Sequence, residues 1–81
     1  MRITVKFMSQ IRLLAGTGEA VVELPEGATV ADLFDQLRES FPAIFPVAEH
    51  TVVMANHKIV TSKTALSDGD QVMLLQLLGG G

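Results

Sequence analysis

The sequence predicts an α+β domain in which one amphipathic helix lies across one face of a sheet. Three observations carry this reading. The chain opens and closes on strand-like apolar runs, a single long stretch repeats its apolar residues at helical spacing, and turn chemistry divides the remainder into short segments.

From Arg2 to Met8 the pattern has period two. Ile3, Val5 and Phe7 share one face and Arg2, Thr4 and Lys6 the other, which predicts a half-buried strand. Residues 9–18 carry Ile11, Leu13 and Leu14 ahead of Gly16-Thr17-Gly18. They are too apolar for a bare loop and read as a short helical turn or a packed flap that either caps the core or faces a partner. Glu19 to Leu24 predicts a second strand, with Ala20, Val22 and Leu24 on one side, and Pro25-Glu26-Gly27 stops it.

The helix follows. Thr29 serves as its N-cap, and Asp32 at the third helical position reaches back or favours the positive end of the helix dipole. Val30, Leu33, Phe34 and Leu37 recur at helical spacing, while Asp32, Asp35, Arg38 and Glu39 take the solvent side. Pro42 ends the helix near Phe41, because the residue before a proline is pushed out of helical geometry. Ala43 to His50 is either a one-turn helix or an ordered connection. Thr51 to Ala55 predicts a third strand, Asn56-His57 a turn, and Lys58 to Val60 a short fourth strand. Leu66-Ser67-Asp68-Gly69-Asp70 is a tight polar turn whose glycine suits positive φ, and it leads into a final strand, Gln71 to Leu77.

At 81 residues there is room for one domain with one core. Hydrophobic residues make up 48% and charged ones 19%, a balance that argues against disorder. The net charge of -3, with scattered Lys and Arg, argues against a nucleic-acid or anionic-membrane surface, since both call for a basic patch; proteins are the expected partners. The lack of cysteine removes disulfides, thiolate metal ligands and thiol nucleophiles together. The first residues alternate instead of presenting a basic region and an apolar block, so no signal peptide is visible and a cytoplasmic location is the expectation. The longest apolar stretch, Val72 to Leu78, is interrupted by Gln76 and falls short of the roughly 20 residues of a membrane-spanning helix.

The last strand is apolar on both faces, with Val72 and Leu74 on one side and Met73, Leu75 and Leu77 on the other. A single helix covers one face of a sheet, so the second apolar face is expected to meet a partner. The strand then runs without a polar cap into Gly79-Gly80-Gly81. Glycine lacks Cβ, so it passes through a slot too narrow for other residues and takes φ of either sign. That suits a carboxylate delivered into another protein's active site; a frayed terminus or an expression scar are the alternatives. The expected division is a domain over residues 1–78 and a flexible tail over 79–81.

Other candidate sites are weaker. His50 and His57 stand apart, with no carboxylate or cysteine cluster at ligand spacing, and read as loop histidines; no metal site is expected. Ser67, Asp68 and Asp70 flank a turn glycine and read as turn formers. Gly16 and Gly18 open no helix and make no phosphate loop.

The element order, the Leu66-Ser67-Asp68-Gly69-Asp70-Gln71-Val72 turn and the glycine tail together resemble the ubiquitin-like β-grasp sulfur carriers of the MoaD and ThiS group, over essentially the whole chain. Val5-Lys6-Phe7 followed by Ile11-Arg12-Leu13-Leu14-Ala15-Gly16 resembles the opening of MoaD, the small subunit of molybdopterin synthase. Asn56 in Ala55-Asn56-His57-Lys58-Ile59-Val60 sits where both families tend to place an asparagine. The tail Leu75-Gln76-Leu77-Leu78-Gly79-Gly80-Gly81 departs from MoaD's usual Phe-Pro-Pro-Val-x-Gly-Gly and looks closer to ThiS.

The resemblance implies a ubiquitin-like β-grasp with a mixed sheet of four to five strands and one main helix. It implies a carrier without an active site of its own, acting as a cosubstrate and as the small subunit of a sulfur-transferase complex. An ATP-dependent, ubiquitin-activating-type enzyme would adenylate Gly81, and a sulfur donor would convert the adenylate to a thiocarboxylate. Gly79 and Gly80 would pass the constriction, and Met73, Leu75, Leu77 and Leu78 would dock on the partner. No cofactor is expected to be bound, ATP belonging to the activating enzyme. The expected acceptor complex is the large subunit of molybdopterin synthase, with thiazole synthase as the ThiS-type alternative. A protein modifier forming isopeptides, or an interaction module without tail chemistry, are the competing readings.

Overall fold

A computed structural model describes residues 1–76 of the chain. The element order is β1 (Arg2–Phe7), α1 (Ser9–Ala15), β2 (Glu19–Glu23), α2 (Val30–Ser40), two 3-10 turns (Pro42–Ile44 and Val47–His50), β3 (Val52–Ala55), β4 (Lys58–Ile59) and β5 (Gln71–Leu75). The strands form a five-stranded sheet in the order β2-β1-β5-β3-β4. β1 and β5 are parallel, and β1–β2, β5–β3 and β3–β4 are antiparallel, so the sheet is mixed as expected.

The period-two reading of β1 holds. Ile3, Val5 and Phe7 are buried, and with Val22, Val72 and Leu74 they form the floor of a single core. Val30, Leu33 and Leu37 of α2 close it from above, and Ile11 of α1, Ile44 and Ala48 seal its edges. Burying a leucine such as Leu33 or Leu37 in full stabilises the fold by about 1.5–3 kcal/mol.

The start of α2 leaves no backbone donor of its first turn unpaired. Val30 N–H donates to the Thr64 carbonyl at 3.0 Å, Ala31 N–H to that of Ser62 at 2.9 Å and Leu33 N–H to that of Thr29 at 3.0 Å. Asp32 N–H donates to Thr29 Oγ1 at 3.4 Å, while Thr29 N–H donates to Asp32 Oδ2 at 2.8 Å, completing the capping box. Residues 62–64 thus dock on the helix N-terminus, and this ties the loop before β5 to α2.

Phe41 ends α2, as the following proline requires. The stretch left open between one helical turn and a connection consists of the two 3-10 turns, and aromatic and ionic contacts hold this end of α2 and the turns to each other and to β1. Phe41 meets Phe7 edge-on at 5.1 Å between ring centroids, and Phe45 meets Phe34 at 6.1 Å. Arg38, expected on the solvent side, lies over the Phe45 ring at 4.9 Å while pairing with Asp35 at 3.0 Å and Glu49 at 3.2 Å.

Within residues 9–18, Ser9–Ala15 form a seven-residue helix capped by Gly16 at φ +76, the left-handed conformation that glycine takes without Cβ strain. Ile11 turns into the core while Leu13 stays 82% exposed. β5 is Gln71–Leu75, with Gln76 outside the strand. Its neighbours run out there: β1 stops at Phe7, opposite Leu74, and β3 begins at Val52, opposite Leu75. Leu77 and the 78/79 domain boundary lie outside the described residues. Among the described residues no helix is long and apolar enough to cross a membrane.

Leu37→Ala should lower unfolding stability by about 2–5 kcal/mol in a denaturant titration, because it opens a void between α2 and the sheet. Leu13→Ala, on the exposed side of α1, should change it by less than about 0.5 kcal/mol.

Candidate functional site

The side of the sheet away from α2 is divided by chemistry. On β1 and β2 it carries Arg2, Thr4 and Lys6 opposite Glu23, Val21 and Glu19. On β5, β3 and β4 it is apolar. Register sets Met54 opposite both Met73 and Ile59, and Val52 opposite Leu75, so these five side chains share one surface. One continuous row across the sheet reads Glu19, Lys6, Met73, Met54, Ile59.

Met73 and Leu75, both singled out from the sequence, therefore do stand together on the outer face, half-buried, while Val72 and Leu74 are fully buried beneath. Leu77, Leu78, Gly79, Gly80 and Gly81 lie outside the described residues. The sequence reading missed Val52, Met54 and Ile59. Ile59 is 73% exposed, a large apolar side chain at the edge of the patch. The alternation Val52/Met54 against Val53/Ala55 was present in the sequence, but nothing there says that β3 lies beside β5.

The patch runs into a groove of about 300 Å³ lined by Lys6, Met54, Asn56, His57, Gln71 and Met73. Its end wall is the β3–β4 turn, where Asn56 and His57 both take left-handed backbone angles, φ +49 and +71, as a tight two-residue hairpin needs. Asn56 Oδ1 accepts from Gln71 N–H at 3.0 Å and Asn56 Nδ2 donates to Asp70 Oδ1 at 2.8 Å. Asp70 Oδ2 accepts from Ser67 N–H at 2.8 Å, and Asp68 Oδ1 accepts from Arg2 N–H at 2.8 Å, so both aspartates serve the turn before β5. His50 closes the second 3-10 turn, away from His57 in the hairpin. Among the described residues no three His, Cys, Asp or Glu side chains converge as metal ligands would.

What the described residues offer is a contact surface. Met73, Leu75, Met54, Val52 and Ile59 provide apolar area, Lys6 a cation at its edge, and β5 a direction along which the chain continues into Leu77-Leu78-Gly79-Gly80-Gly81.

Comparison with known proteins agrees with this architecture. The ThiS family profile matches residues 5–81. The chain is 36% identical over 83 aligned positions to the molybdopterin synthase sulfur carrier subunit of Chlamydomonas reinhardtii, with 100% of both chains covered. It is 32% identical over 60 residues to the protein of the same name from Mycobacterium tuberculosis (strain ATCC 25618 / H37Rv), covering 74% of this chain and 72% of that one. In structure it superposes on SAMP1 from Haloferax volcanii with a TM-score of 0.91 at 24% identity, covering 100% of both, a likeness that bears on fold alone and confirms the ubiquitin-like β-grasp. With a match running through nearly every residue and a relative above one-third identity from end to end, the chain belongs to the ThiS family.

Proposed function

We propose that the protein is a sulfur carrier whose terminal glycine, Gly81, is activated and converted to a thiocarboxylate for molybdopterin formation. The observation that carries this is the apolar outer face of β5, Met73 and Leu75 with Val52, Met54 and Ile59 beside them, on the strand that leads into Gly79-Gly80-Gly81. The family match reaching residue 81 supports the tail as part of the function. The names of the two curated relatives favour the pterin pathway over thiazole synthesis.

The chemistry follows from the inertness of a carboxylate, whose charge is spread over two oxygens and whose leaving group would be oxide. ATP on an activating enzyme turns it into an acyl-adenylate with release of pyrophosphate. A sulfur nucleophile attacks the acyl carbon, the C–O bond to AMP breaks, and a thiocarboxylate remains. Its sulfur is ionised at neutral pH and nucleophilic, a capacity that this cysteine-free chain has no side chain to supply. The domain contributes recognition through Met73, Leu75, Leu77 and Leu78. The three glycines, spanning about 10 Å when extended, contribute reach and clearance. The activating enzyme and the large subunit of molybdopterin synthase are the partners in turn, in the cytoplasm.

Intact-protein mass spectrometry tests this directly. After incubation with ATP, the ubiquitin-activating-type enzyme of the same cell and sulfide, the chain should gain the mass difference of sulfur for oxygen, located at Gly81. Adducts on Lys6, Lys58 or Lys63 without that gain would point to a protein modifier, and no adenylate at all to an interaction module.

Deleting Gly80 and Gly81 should abolish sulfur transfer yet leave the melting temperature and partner binding near the parent's, because the core among the described residues runs from Ile3 to Leu74. A large loss of stability would contradict the carrier picture.

Leu75→Glu sets a charge in the apolar patch and should weaken binding to the large subunit by at least about tenfold in a titration, with the fold retained since the side chain is only half-buried. Unchanged affinity would remove the outer face from the interface.

A further inference from the structure

β5 carries the docking face, but its hydrophobic pattern does not fix its own register. In most half-buried strands a one-residue slip exposes the apolar side and buries the polar one, and this penalty holds the pairing in place. Here Val72 and Leu74 alternate with Met73 and Leu75, so a slip exchanges one apolar pair for another. Something other than hydrophobicity has to decide which pair faces outward.

That something stands at the strand's first residue. Asn56 engages the Asp70–Gln71 step by three hydrogen bonds. Its backbone N–H donates to the Gln71 carbonyl at 2.9 Å, its Oδ1 accepts from Gln71 N–H at 3.0 Å, and its Nδ2 donates to Asp70 Oδ1 at 2.8 Å. Asp70 is itself held, its other carboxylate oxygen accepting from Ser67 N–H at 2.8 Å. Asn56 does this from the left-handed region, φ +49, which asparagine tolerates better than most side chains. A slip of β5 by one residue breaks all three bonds. It also puts Gln71, which has no carboxylate, or Gly69, which has no side chain, where Asp70 stood.

We propose that Asn56, acting with Asp70, is the positioning residue that sets the register of β5 against β3, and so decides that Met73 and Leu75, not Val72 and Leu74, form the docking face. The meaning of that face as a carrier's docking surface rests on the function proposed above; the register itself does not.

The pair can be reversed chemically. Asn56→Asp alone brings two carboxylates together where a donor met an acceptor. Asp70→Asn alone leaves one amide oxygen to serve two donors, Ser67 N–H and Asn56 Nδ2. In the double variant Asn56→Asp/Asp70→Asn, the new carboxylate at position 56 accepts from both Gln71 N–H and the new amide at position 70. The oxygen of that amide still accepts from Ser67 N–H, so every bond is rebuilt with one donor reversed.

Two measurements read the outcome. Cross-strand nuclear Overhauser contacts in the isolated protein report whether Met54 still faces Met73 and Val52 still faces Leu75. Titration against the large subunit of molybdopterin synthase, at a temperature where every variant is folded by circular dichroism, reports the docking face. Each single variant should show a second set of β5 resonances and bind about tenfold more weakly; the double variant should return to one set and parental affinity. Asp68→Ala, which cuts the bond to Arg2 N–H and leaves Asn56 untouched, is the control: it should lower the melting temperature with register and affinity intact. Single variants that lose only stability and keep the parental contacts would overturn the proposal. If register responds as expected but the parent protein never binds the large subunit, the proposed docking role falls and the register assignment stands.

Discussion

The parallel pairing of β1 with β5, Thr4 opposite Gln71 through Phe7 opposite Leu74, is the constraint from which the rest of the molecule follows. Parallel neighbours cannot be joined by a tight turn, so the chain between them must cross over, and residues 8–70 are that crossover. Once the first and last strands are the centre of the sheet, β2 is left to extend it on one side and the β3–β4 hairpin on the other. The buried sides of the central pair, Ile3, Val5 and Phe7 with Val72 and Leu74, become the floor on which α2 lands. Because the two strands point the same way, the chain leaves β5 at the end of the sheet where α1 begins.

A sheet with one long helix has one covered face, and the two faces here have different accounts. The inner face is explained by burial. On the outer face, the β1–β2 half bears charge: Arg2 and Glu23 stand 3.9 Å apart, both well exposed, a pairing that adds little stability and much solubility. The β5–β3–β4 half has no such account. Met73, Leu75, Met54 and Val52 stay only half-buried and Ile59 exposed, and a coherent apolar patch on a small protein is a place for a partner. The proposed carrier role is built on that physical reading, and the ThiS family match, which comes from the sequence, is compatible with it.

Most of this was legible before any coordinates. The alternation in Arg2–Phe7, the Thr29 and Asp32 capping pair and the Pro42 stop are local signals, and local signals survive folding. Met73 and Leu75 were legible too, through the argument that one helix leaves one face bare. What stayed hidden depends on which strands become neighbours. Val52, Met54 and Ile59 join the patch only because β3 pairs with β5, a contact between residues about twenty apart that no local pattern encodes. Arg38 is exposed as its helical position predicts, but its contacts stayed hidden, because helical periodicity gives an angle around the axis and not the Phe45 ring and Glu49 that fold back to meet it. Where β5 ends depends on neighbours in the same way: β1 stops opposite Leu74 and β3 begins opposite Leu75.

Register connects the sheet to the tail's chemistry. Along a strand each residue advances the chain by about 3.3 Å and reverses the side on which it points. For a carrier whose extended glycines reach only about 10 Å, a slip of one residue at Gln71 displaces the terminal carboxylate by a third of that reach, and it turns Met73 and Leu75 away from the partner. A partner's active site that must bring an acyl carbon within bonding distance of a nucleophile tolerates neither error. Glycines can absorb a change in direction but not a change in length. It follows that a tail of this kind needs its origin fixed by the folded domain, and that the fixing should sit in polar contacts, since a strand apolar on both faces has no hydrophobic preference to offer. Asn56, holding both the amide and the carbonyl of Gln71, is placed where that requirement falls.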